Sequence, residues 1–166
     1  MSEPRTLWAP WRMEYILADK TAGCVLCAKL AEADGPENLI LARRGTVFVI
    51  LNRFPYASGH LMVAPIRHVA RPRDLTADER RDLMDTVAEA EGALEGALAP
   101  QGMNIGANLG RAAGAGVEDH LHVHLVPRWV GDHNFMPVVG LARVMPEHLR
   151  DTYAKLQPAF SASGES

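Results

Sequence analysis

His120-Leu121-His122-Val123-His124-Leu125-Val126 places three imidazoles at alternate positions with apolar residues between them. Successive side chains of a strand turn to opposite faces, so the stretch predicts a strand with histidines along one side and Leu121, Val123 and Leu125 facing a core. Alternate residues on a strand lie roughly 6.6 Å apart, close enough for one ring to meet a reacting atom while its neighbours position groups on either side. Neutral imidazole is also a common metal ligand, so the row by itself admits a reactive site, a three-histidine metal site or a polar sheet face.

Immediately upstream, Gly102-Met103-Asn104-Ile105-Gly106-Ala107-Asn108-Leu109-Gly110 reads as a short strand entering a glycine-rich turn from Arg111 to Gly116. Small residues let backbone N–H groups approach an anion closely, and Asn108 adds a side-chain donor. Such turns are often only turns. Set a few residues before three imidazoles, this one is read as a phosphate cradle built from Asn108, Ala115 and Gly116.

Working further outward, the fold class is α+β. Residues 39–43, 46–52, 60–65, 103–109 and 120–126 are short, apolar or alternating, and bounded by Gly, Pro or Asn, which predicts about five antiparallel strands. Thr76-Ala77-Asp78-Glu79 is a capping box, and Leu83, Met84, Val87, Leu94 and Leu98 follow at helical spacing. One helix of about six turns must therefore pack across the sheet. A C-terminal helix is expected from Pro146 to about Leu156, with proline in its first turn. Residues 161–166 read as a flexible tail behind a single domain spanning 1–160, onto which residues 1–22 pack. Trp8, Trp11 and Tyr15 in that first segment suit a pocket cover, an interface or ordinary packing on the core.

His-x-His-x-His followed by two apolar residues, the loop before it and Val126-Pro127-Arg128 after it resemble the histidine-triad (HIT) family. Val49-Ile50-Leu51-Asn52-Arg53-Phe54-Pro55 and Gly59-His60-Leu61-Met62-Val63-Ala64-Pro65 extend the likeness over most of the chain from about Cys24 to Phe135. The resemblance implies a HIT-like fold, a nucleotide substrate and a homodimer whose sheet runs across both copies. It implies that His122 attacks the α-phosphorus to form a nucleotidyl-imidazole, which an acceptor then resolves. Imidazole suits that task, being largely neutral near pH 7 and departing readily when protonated. His124 is then the donor to a phosphate oxygen or the departing group, Asn108 and the loop amides hold the non-bridging oxygens, and Asn52 with Leu51 holds the nucleoside. A carbonyl or carboxylate on Nδ1 of His122 would free its Nε2 lone pair, though the sequence does not say which group does so.

Cys24-Val25-Leu26-Cys27 gives two thiols at zinc-knuckle spacing, for which a disulfide and buried free thiols are alternatives. In HIT relatives such a pair joins a histidine matching His68 and the first of the row, here His120, around a structural zinc. Two departures stand out: the position where many members carry Gln is Gly116, and the commonly following Ser is Val117. Arg128-Trp129-Val130-Gly131-Asp132-His133-Asn134-Phe135-Met136-Pro137 and Leu7-Trp8-Ala9-Pro10-Trp11-Arg12-Met13-Glu14-Tyr15 resemble bacterial HIT proteins acting on diadenosine tetraphosphate. These include phosphorolytic enzymes, and a cavity opened at Gly116 would admit phosphate as acceptor. Adenosine phosphoramidase, a non-catalytic nucleotide-binding module and a three-histidine metalloenzyme are the alternatives.

A net charge of −3 over 166 residues argues against a broad nucleic-acid footprint, so anion binding must be local. Arg53, Arg67, Arg111 and Arg128 are the cations placed to supply it. The longest apolar run is about one strand long, too short for a membrane span, and Met1 is followed by polar, proline-containing sequence, so a cytoplasmic protein is expected.

Overall fold

The computed structural model describes residues 23–132 and 147–162. Its elements are α1 (Val25–Leu30), β1 (Ile40–Arg44), β2 (Val47–Leu51), β3 (Leu61–Pro65), α2 (Ala77–Leu98), β4 (Gly102–Gly106), β5 (Val123–Arg128) and α3 (Leu149–Ala162). The five strands form one antiparallel sheet in the order β1-β2-β3-β5-β4. β3 and β5 are thus neighbours although α2 and β4 lie between them in sequence.

Strand register sorts the side chains into two layers. Ile50 pairs with Met62 and Met62 with His124, so these three form one row across the sheet. The alternate rows, Val49–Val63–Val123 and Leu61–Leu125, point the opposite way. There α2 crosses β2, β3 and β5, while α3 packs on β1 and α2. Leu83, Val87, Ala90 and Leu94 are the buried stripe of α2, and the core is continuous from Leu26 to Phe160. Met84, expected on that stripe, is instead exposed, because one residue of helix turns a side chain about 100° from its neighbour.

The capping box forms: the Glu79 N–H donates to Thr76 Oγ1 at 3.2 Å and the Thr76 N–H donates to the Glu79 carboxylate at 2.8 Å. Two expected boundaries move. β5 begins at Val123, leaving His120, in a bend, and Leu121 and His122 outside the ladder. The register would bring Leu121 opposite Pro65, which has no N–H to donate, and the Leu121 N–H turns to Val69 O at 2.6 Å. α3 begins at Leu149 and continues through Ser161, whose hydroxyl donates to Gln157 O, so Ser161 belongs to the helix rather than to the tail expected from it. Pro146, Trp8, Trp11 and Tyr15 lie outside the described residues.

Candidate active site and metal cluster

Each histidine of the row has its protonated nitrogen assigned by a neighbouring group. The Nδ1–H of His122 donates to the carbonyl of His120 at 2.8 Å, leaving the Nε2 lone pair free. The carbonyl that the sequence left unnamed is therefore supplied by the row itself. His120 donates from Nε2 to Pro65 O at 2.7 Å and turns Nδ1 toward Cys24 Sγ and Cys27 Sγ, 3.3 and 3.5 Å away.

His124 is set by a residue to which sequence reasoning gave no role. His60 is fully buried; its Nδ1 accepts the Tyr56 N–H at 3.0 Å, so its Nε2–H donates to Nδ1 of His124, also at 3.0 Å. That fixes the proton of His124 on Nε2, making this ring a hydrogen-bond donor. The rings of His122 and His124 stand 4.9 Å apart at 82°. An acceptor nitrogen and a donor nitrogen thus belong to adjacent rings, each held by its own partner. The signal for His60 was its place one residue before β3, in register to meet β5, which only strand pairing reveals.

His122 and His124 line a cleft with an apolar wall of Leu26, Leu39, Ile50, Leu51, Phe54 and Met62. Asn52, Asn108, Gly114 and Gly116 add polar atoms and exposed backbone to the same lining. The Asn52 Oδ1 accepts the Phe54 N–H at 2.9 Å, an Asx turn that holds its side chain at the cleft while one oxygen lone pair remains available. Its Nδ2 is 3.4 Å from both ring nitrogens of His60, which places the amide over the ring face, since both nitrogens already have in-plane partners. Ala115 lies between two lining glycines, Gly114 and Gly116, and its N–H donates to Gly110 O at 3.3 Å.

Of the arginines expected to supply positive field, Arg67 is paired with Glu79, Arg111 with Glu118 and Arg128 with Asp132. Arg53 alone of the four lines the cleft.

Cys24, Cys27, His68 and His120 converge so that their ligating atoms all lie within 4.8 Å of one another. The start of α1 brings both cysteines, the loop after β3 brings His68, and the bend just before β5 brings His120. Burial pushes the His120 imidazole below its ordinary pKa and raises the Cys27 thiol, to which the adjacent Cys24 contributes. A neutral ring with its lone pair on Nδ1, beside two thiols and a second imidazole, fits a tetrahedral cation site. These four residues could hold a metal ion, and doing so would commit His120 away from a three-histidine site. α1 also contributes Val25, Leu26 and Lys29 to the cleft, so the cluster anchors one of its walls.

The antiparallel sheet, the crossing helix and the ordered histidine row define a protein of histidine-triad type. The HIT domain profile matches residues 35–130, and the chain belongs to that family. It is 38% identical over 154 residues to the AP-4-A phosphorylase of Mycobacterium tuberculosis, covering 88% of this chain and 79% of that one. A match of 38% over 82 residues joins it to the asymmetrical bis(5'-nucleosyl)-tetraphosphatase of Schizosaccharomyces pombe, covering 49% of this chain and 44% of the yeast protein. The crystal structure of a hypothetical histidine triad nucleotide-binding protein from Sulfolobus tokodaii superposes with a TM-score of 0.64 at 27% identity, covering 84% of this chain and 91% of the other.

Proposed function

We propose that the chain cleaves dinucleoside polyphosphates of the diadenosine tetraphosphate kind by transferring a nucleoside monophosphate through His122. The carrying observation is the hydrogen bond from His122 Nδ1 to the His120 carbonyl, which supports Nε2 as the nucleophile at the cleft. Nε2 bonds to the α-phosphorus as the bond from phosphorus to the bridging oxygen breaks, releasing ATP from diadenosine tetraphosphate. His124, with its proton on Nε2, donates to a phosphate oxygen or to the departing group. Asn108 and the backbone at Gly116 hold non-bridging oxygens, and Asn52 and Leu51 hold the nucleoside. Positioning and preorganised donors then supply most of the acceleration.

The acceptor reading favoured here is inorganic phosphate. Glycine at the cleft-lining position 116 leaves space where many members carry Gln, and similarity to the mycobacterial phosphorylase extends over most of the chain. Phosphate oxygen attacks the phosphoramidate, the N–P bond breaks and ADP leaves; water in its place would give AMP. Incubation with diadenosine tetraphosphate in phosphate buffer should yield ADP and ATP. Equal AMP with and without phosphate would remove the phosphorolytic reading, and absence of any product would remove the activity.

A metal held by Cys24, Cys27, His68 and His120 would be a structural zinc, a reading that the two-sulfur, two-nitrogen donor set supports. When bound it supplies a cross-link between α1 and the histidine row. The free thiols of this pair suit a reducing, cytoplasmic compartment. β4 supports a homodimer: it is the sheet edge, and Ile105 on it is 45% exposed, an apolar edge of the kind that pairs with another strand. The same reading takes residues 1–160 as one HIT domain with 1–22 as its N-terminal segment, and the continuous core from Leu26 to Phe160 supports the described part of it.

A further inference from the structure

Among the described residues every arginine except Arg53 and Arg71 faces a carboxylate or donates to a backbone carbonyl within the chain. Arg53 already lines the cleft beside Asn52. Arg71 stands at the other phosphate-handling feature, the glycine-rich loop, where its Nη2 lies 3.8 Å from the position a Cβ on Gly110 would take. Gly110 is two residues beyond Asn108 and four before Gly114, both of which line the cleft. The cation of the loop itself, Arg111, is neutralised by Glu118 at 2.9 Å, so Arg71 is the uncompensated positive charge there.

The backbone that carries Arg71 is firmly placed. Val69, two residues before it, accepts the Leu121 N–H at 2.6 Å, and Arg71 O accepts the Asp74 N–H at 3.0 Å as the following turn closes. Its extended φ of −132° and ψ of 143° are those demanded of a residue preceding proline. The guanidinium is therefore carried beside Gly110 on a segment tied to the histidine row, outside the cleft lining itself and exposed, free to meet a ligand that extends from the cleft.

We propose that Arg71 binds the phosphate group beyond the α-phosphate, serving first the polyphosphate that leaves and then the phosphate that enters. The inference rests on the nucleotidyl-His122 reading. In that two-step transfer His122 attacks opposite the leaving oxygen, and the acceptor must attack opposite His122. The leaving β-phosphate and the incoming phosphate therefore occupy the same position in turn. A planar, permanently charged fork suits both, because each presents two or more phosphate oxygens.

The test compares AMP with ATP binding by calorimetry in a His122→Asn background, and the KM for inorganic phosphate in the otherwise unaltered enzyme. Arg71→Ala should lower the ratio of ATP to AMP affinity by about ten-fold or more and raise the phosphate KM by a similar factor, the scale for losing a charged hydrogen bond. Arg71→Lys should retain part of both effects, and Arg73→Ala, two residues away and paired with Asp74, should leave both unchanged. An unchanged ratio in folded Arg71→Ala, an equal fall in Arg73→Ala, or a changed ratio with an unchanged phosphate KM would each overturn the proposal. Failure of the unaltered enzyme to act on any dinucleotide would instead remove the parent reading, because the binding ratio is measured without turnover.

Discussion

Replacing His60 with leucine removes the group that sets the proton of His124, and the structure allows the cost to be worked in two parts. Leucine leaves the Tyr56 N–H, previously donated to Nδ1 at 3.0 Å, without its acceptor beneath a fully buried position. That costs about 1–3 kcal/mol of stability. The chemical part follows from the 3.0 Å bond to His124. Without it His124 is free to move its proton to Nδ1 and to rotate, so kcat should fall about 10- to 100-fold, the range for losing a partner that orients a working histidine. KM should change little, since His60 does not line the cleft. His60→Gln offers an acceptor and a donor on one planar group and should recover much of both losses. Thermal unfolding and steady-state turnover of diadenosine tetraphosphate read the two parts separately. A folded His60→Leu protein with unaltered kcat would refute the reasoning.

Chelation, or Cys27→Ser, should take the metal-to-chain ratio from one to zero, lower the thermal midpoint and weaken nucleotide binding, because α1 carries both the cysteines and a wall of the cleft. Atomic absorption with calorimetry checks this, and an unchanged midpoint would count against it. Glu79 is held at about 2 by the Arg67 guanidinium and the Thr76 N–H, against an ordinary 4.5. A depressed carboxylate pKa stabilises the fold above the unfolded value and loses that effect as pH falls through the folded one. The stability gap between the unaltered protein and Glu79→Gln, measured by urea unfolding, should therefore be full above about pH 5 and shrink toward about pH 2. Ile105→Lys on the β4 edge should convert a dimer to a monomer in sedimentation, whereas a dimer that persists would place the interface elsewhere.

The sequence made most of this site legible because period-two alternation and a capping box are local signals. His122 and His124 both line the cleft, and Cys24, Cys27, His68 and His120 meet in space. What escaped depends on pairing between distant segments. His60 reads as an ordinary residue entering a strand until register sets Met62 beside His124. The strand start at Val123 depends on Pro65, far earlier in the chain on β3, having nothing to donate to Leu121. α1 is six residues long with no side-chain cap, so little in its own sequence marks it, and its position follows from the cysteines at and within its first turn. Local geometry likewise turns the Ala115 N–H onto Gly110 while Gly116 lines the cleft, a detail that composition alone does not carry.

The most direct measurement is mass spectrometry of enzyme saturated with diadenosine tetraphosphate in the absence of phosphate and quenched in alkali. The account predicts one adenylyl group on the peptide that contains His122, absent from His122→Asn, and its disappearance with formation of ADP when phosphate is added before the quench. Continued turnover with no adduct, or an undiminished rate in His122→Asn, would contradict it.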